Sequence, residues 1–112
     1  MIYFLIYYFV KNKELVLGPF QGPIACTRIP IGKGVCGVAW QKNEIIMVDD
    51  VNAFTGHISC NAASKSEIVL PVTNSTQEVS LVLDIDSDQY HHFDAIDKQY
   101  LTEVTNLIKT LL

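Results

Sequence analysis

Basic residues are scarce in this chain: eight Lys and Arg stand against twelve Asp and Glu over 112 residues, for a formal net charge of -4. Binding to nucleic acid draws on counterion release from a basic surface, so a nucleic-acid partner is not expected. Long hydrophobic runs are missing too. The N-terminal stretch MIYFLIYYFV ends at Lys11, well short of the ~20 residues that a membrane-spanning helix requires. It has neither the basic start nor the small-residue cleavage site of a secretory signal, and its Tyr, Phe and Ile content suits a buried strand. The expectation is a cytoplasmic protein with no membrane association. Cysteine is sparse as well. Cys26, Cys36 and Cys60 are an odd number, which does not suit a disulfide-stapled extracellular scaffold and leaves at least one thiol free or redox active. In that setting Asn74-Ser75-Thr76, a glycosylation sequon in form, reads as a polar turn.

Hydrophobic residues make up 49% of the chain and charged residues 18%, a balance that fills a core. No repeat, linker or low-complexity segment divides the sequence, so a single domain over 1–112 is expected. Ile2 to Val10 and Glu14 to Leu17 read as strands joined by Lys11-Asn12-Lys13. GPFQGP, with two glycines and two prolines, is expected to break the sheet. Ala25 to Ile29 reads as a short strand, Gly34 to Gln41 as a short helix and Glu44 to Val48 as another strand. Glu67 to Thr73 and Val79 to Asp86 flank a polar turn and form a second hairpin. Asp94 is a candidate N-cap for a closing helix, in which Ile96, Tyr100, Leu101, Val104, Leu107, Ile108 and Leu111 recur at helical spacing and should cover one face of the sheet. Strands first and a long helix last give an α+β class with a mainly antiparallel sheet.

Three groups of residues have the chemistry for a site. With the second hairpin's turn centred near Thr76, Glu67 falls opposite Ile85 or Asp86, and Asp84 and Asp86 share a face, so three carboxylates can converge. Like charges facing across strands destabilise a sheet unless a cation, a shared proton or a different register relieves them. The run Asp84-Ile85-Asp86-Ser87-Asp88 lacks the glycine and distal glutamate of a calcium loop, whereas a bound ammonium group suits the charge at least as well. The cysteine separations, ten and twenty-four residues, do not match structural zinc spacing, so no metal is expected. Cys60, three residues after His57, is left as either a buried packing residue or a reactive thiol. Gly32-Lys33-Gly34-Val35-Cys36-Gly37 lacks the ending of a phosphate loop; its glycines suit a helix start, where backbone N–H groups can hold a carboxylate.

The segments ELVLGPFQGPIACTRIPIGKGVCGVAW, VDDVNAFTGHISCNAASKSEIVLPV and LVLDIDSDQYHHFDAIDKQYL resemble the free methionine-R-sulfoxide reductases, an enzymatic branch of the GAF domain superfamily. The resemblance runs from about Leu15 to Leu101 and includes all three cysteines. It implies a GAF-like domain, an antiparallel central sheet with helices packed on it, and reduction of free L-methionine (R)-S-oxide in defence against oxidative stress, with no cofactor. It assigns Cys60 as the sulfur nucleophile and Cys26 as the resolving cysteine, with Cys36 in the same site and able to exchange roles with either. Glu67, Asp84 and Asp86 match the family's substrate-binding acids. Either Glu67 or Asp86 would be the proton donor, and Asp84 with a neighbour would hold the ammonium group. A disulfide from Cys60 to Cys26 or Cys36 would be recycled by thioredoxin.

The chain departs from the family at its start. The resemblance implies that a helical segment before the family's first strand is missing here, and it places Phe4 and Tyr8 where the family has an aromatic cage for the substrate methyl. Loss of that segment is expected to expose an apolar strip, which a homodimer would hide. The rival reading is a GAF small-molecule-binding or sensor module without turnover.

Overall fold

The computed structural model describes residues 2–23, 26–58 and 63–112. Six strands, β1 (Ile2–Lys11), β2 (Glu14–Gln21), β3 (Arg28–Pro30), β4 (Ile46–Val48), β5 (Ser66–Thr73) and β6 (Val79–Ser87), form one antiparallel sheet in the order β3-β2-β1-β6-β5-β4. Helix α1 (Gly34–Lys42) and helix α2 (Ala95–Lys109) complete it. The expected α+β class, antiparallel sheet and long C-terminal helix are all present. Among the described residues no helix is long and apolar enough to cross a membrane, and the apolar N-terminal run is strand β1.

Strand periodicity divides the core in two. Phe4, Ile6 and Tyr8 of β1, Val82 of β6 and Val69 of β5 are buried in one cluster with Val35, Cys36 and Ala39 of α1. Ile68, Leu70, Leu83 and Ile85 are buried on the opposite face with Phe93, and Leu101 of α2 packs against them. The pairings Phe4↔Asp86 and Ile6↔Asp84 put both aspartates on the α1 face.

Two turns and a bulge fix the register. The β5–β6 turn is closed by Asn74, whose Oδ1 accepts from the Thr76 and Glu78 backbone N–H groups at 2.9 and 3.1 Å, so the sequon asparagine does the work of a turn. The expectation that GPFQGP breaks the sheet is corrected: β2 runs on to Gln21. Its pairings jump from Tyr8↔Leu17 to Ile6↔Phe20, which leaves Gly18 and Pro19 opposite Tyr7 alone. A bulge of this kind tolerates a proline without an N–H. Only glycine fits at position 18, since a Cβ there would lie 2.3 Å from the Phe9 ring. The short strand expected at Ala25 to Ile29 is Arg28–Pro30, with Ala25 outside the described residues.

Helix α2 begins as its sequence suggests. Asp94 accepts from the Ile96 and Asp97 N–H groups, and Asp97 reaches back to the Asp94 N–H at 2.9 Å, a complete capping box. Its packing is narrower than expected: Leu101, Thr105 and Ile108 turn inward, while Ile96, Tyr100, Val104, Leu107 and Leu111 are exposed. The inner stripe follows the i, i+4, i+7 spacing, and the other apolar positions fall outside its arc. Replacing Asp94 by Ala should therefore lower Tm by ~4–8 °C, the equivalent of about 1 kcal/mol for a lost cap. Leu107→Lys should leave Tm unchanged; thermal melts of the two variants check both.

Candidate active site

Three carboxylates meet where β5 and β6 run side by side beneath α1. Glu67 pairs directly with Asp86, and Asp84 lies two residues along the same face. Of the two registers the sequence allowed, the chain adopts the one that opposes like charges. Glu67, Asp84 and Asp86 are only 5%, 4% and 6% exposed. Among the described residues none of them forms an ion pair with a Lys, Arg or His; the ion pairs found are Arg28–Glu14 and His91–Asp49 at the surface.

Helix α1 closes the site from above. Gly37 lets it descend onto β3, since a Cβ there would lie 2.7 Å from the Pro30 carbonyl oxygen. That approach carries Cys36 into the core, with its Sγ 3.9 Å from Glu67 Oε2 as a weak thiol contact. The resulting cavity holds about 30 Å³ of free space, and Phe4, Tyr8, Cys36, Glu67, Asp84 and Asp86 are all among its lining residues. Such a volume takes one or two groups the size of a water or a small cation.

The electrostatics follow from burial without counter-charge. Desolvation, then the Asp86 and Glu67 charges, pushes the Asp84 carboxyl well above the usual range. Asp86 rises for the same first reason and then through Glu67, but hydrogen bonds from Asp84 and Ser64 pull it back. Burial therefore holds both aspartates towards the protonated form, with their carboxyls hydrogen-bonded to each other. Burial, followed by the Asp84 and Glu67 charges, also raises the Cys36 thiol, so this cysteine is protonated rather than a resting thiolate. Tyr8 is raised in the same way and keeps its proton, and its hydroxyl donates to the Cys26 carbonyl oxygen at 2.9 Å.

The structure thus brings together Phe4, Tyr8, Cys36, Glu67, Asp84 and Asp86, with the Cys26 backbone tied to the cavity through Tyr8. Cys26 itself is disulfide-bonded and Cys36 is free. Cys60, the expected nucleophile, lies outside the described residues, while His57 lines the cavity. Sequence reasoning missed Ser64, a buried donor to Asp86, and Ile58, which packs over Gly34. Both sit in an irregular segment without periodicity, which gave no signal of which way they point.

No family model matches the chain. It is 53% identical over 103 residues to GAF domain-containing protein A of Dictyostelium discoideum, covering 91% of this chain and 65% of that one. It is 47% identical over 106 residues to the free methionine-R-sulfoxide reductase of Escherichia coli, covering 95% and 64%. The reduced form of the Staphylococcus aureus fRMsr superposes with a TM-score of 0.93 at 45% identity, covering 97% of this chain and 70% of that one. This chain belongs to the free methionine-R-sulfoxide reductase family. It spans just under two-thirds of the length of the two curated relatives named. Its fold is the GAF fold of that family, and its three buried carboxylates lie within the shared span.

Because Asp84 and Asp86 have raised pKa values when folded, their contribution to stability without ligand is most favourable below the unfolded carboxylate pKa of about 4. It declines as pH rises from there through the folded values. Asp84→Asn supplies a neutral donor of the same shape, so it should flatten that slope and raise Tm at neutral pH by ~4–8 °C per kcal/mol relieved. Melts across pH, wild type against variant, check both the sign and the slope.

Proposed function

We propose that this chain reduces free L-methionine (R)-S-oxide to L-methionine. The observation that carries the reading is the ion-pair deficit of Glu67, Asp84 and Asp86, three buried acids on one face with no described cationic partner. An α-ammonium group supplies the missing charge, and a peptide nitrogen does not. This accounts for a free amino acid as substrate, in keeping with the name of the Escherichia coli relative. Phe4 and Tyr8 line the same cavity and offer apolar surface to the substrate methyl.

In the proposed cycle the Cys60 thiolate attacks the sulfoxide sulfur while a carboxyl group protonates the oxygen. The oxygen passes to the cysteine, giving a thioether and a sulfenic acid. An arriving ammonium favours the ionised form of Asp84 and Asp86, which drives a proton held between them towards the sulfoxide, with Glu67 or Asp86 as the donor. The sulfenic acid then condenses with the Cys26 thiol, releasing water and leaving a disulfide, and a dithiol such as thioredoxin restores both thiols by exchange. Support for Cys26 as the resolving partner comes from its being disulfide-bonded while Cys36 is free and protonated.

Purified protein supplied with dithiothreitol or thioredoxin should consume the (R) epimer of free methionine sulfoxide and leave the (S) epimer. Cys60→Ser should reduce turnover to background. Glu67→Gln should raise KM by ~10–100-fold, the cost of one charge-assisted hydrogen bond. Consumption of neither epimer contradicts the enzyme, and methionine binding without turnover favours the sensor module instead.

A further inference from the structure

The cavity offers donors of two kinds, and an ammonium group uses only one of them. One ligand atom from each of Cys36, Glu67 and Asp84 lies within 4.8 Å of the others, and all three residues are buried. Buried acids alone would not point to a metal ion. Here, however, Asp84 Oδ1 has no hydrogen-bond partner among the described residues, although its side chain is buried and lines the cavity. A protein acceptor so placed calls for a cation. The thiol narrows the choice. Calcium and magnesium take oxygen donors, and copper(I) takes soft sulfur donors, whereas zinc accepts thiolate and carboxylate together.

Distances agree with that class. Zinc–sulfur and zinc–oxygen bonds in a tetrahedron place sulfur and oxygen ~3.5 Å apart. Cys36 Sγ and Glu67 Oε2 stand at 3.9 Å, a few tenths of an ångström wider. The free space of about 30 Å³ admits one ion with a water.

We propose that the cavity binds a single divalent cation of the zinc class through Cys36 Sγ and the Glu67 and Asp84 carboxylates, with water in the fourth position. The site stands on this geometry and not on the reduction. Loading it fills the place that a substrate ammonium would take, so the metal-bound protein is a blocked form. Binding releases the Cys36 thiol proton and the Asp84 carboxyl proton, so affinity rises with pH. The groups lining the cavity around these two are Tyr8 from β1, Lys33 at the N-cap of α1, His57 from the loop after Gly56, Glu67 from β5 and Asp86 from β6.

The test is titration of the non-reduced protein with zinc alone, followed by calorimetry, and with cobalt(II), followed by absorption. In this form Cys26 is held in its disulfide and Cys36 is free. The expected result is one ion per chain and a near-ultraviolet thiolate-to-cobalt band. The band should vanish in Cys36→Ser, and affinity should fall by about tenfold or more in Asp84→Asn, a variant that folds at least as well as the native chain. Absence of zinc binding, or a cobalt band unchanged in both variants, would overturn the proposal. Since the readout needs no sulfoxide, a negative result here leaves the reductase reading standing, and an inactive enzyme leaves this one standing.

Discussion

Glu67, Asp84 and Asp86 occupy positions on β5 and β6 that would ordinarily hold valine or isoleucine, and much else in the molecule can be understood from the cost of keeping them there. They are buried between a continuous sheet and helix α1, without a described basic partner. Such a cluster persists only if the surrounding frame is over-determined and if a proton is shared between the acids. The frame is supplied by the β5–β6 pairing, by β1 alongside, and by an apolar floor of Val69, Val82 and Ile6. A proton shared among the acids is what a cationic ligand would displace.

The position of α1 follows from the same requirement. A glycine at 37 brings the helix down onto the Pro30 carbonyl, and this brings the Cys36 thiol over the acids as a weak, neutral donor. A thiolate at that point would add a fourth negative charge. Burial and its acidic neighbours keep Cys36 protonated, which separates it in character from a nucleophile that must ionise. Tyr8 extends the arrangement outward by fixing the carbonyl of the disulfide-bonded Cys26, so that strand β1 lines the cavity and also holds the Cys26 backbone.

Much of this was legible in the sequence, for identifiable reasons. Asn74 to Glu78 is a strong turn signal, and once the turn is placed, strand period two puts Asp84 and Asp86 on one face, with Glu67 joining them in one of the two registers left open. Asp94 announced the start of α2. What the sequence misled on was the extent of β2, where a bulge absorbs Gly18 and Pro19, and the inner face of α2, where several apolar residues at helical spacing proved to be exposed. Those outcomes depend on tertiary contacts that local pattern does not encode. Ser64 gave no sequence signal, because a buried serine and a solvated one look alike until a partner is known.

The central claim is that the three acids form a protonated cluster that ionises when it receives a cation. Carbon-13 NMR of the Asp84, Asp86 and Glu67 side-chain carboxyls measures it directly. In the ligand-free protein at neutral pH, Asp84 should show the shift of a protonated carboxyl, and addition of L-methionine, whose ammonium group enters the cluster, should move it to that of a carboxylate. Carboxyls that are all ionised before ligand is added, and unchanged after it, would contradict the account.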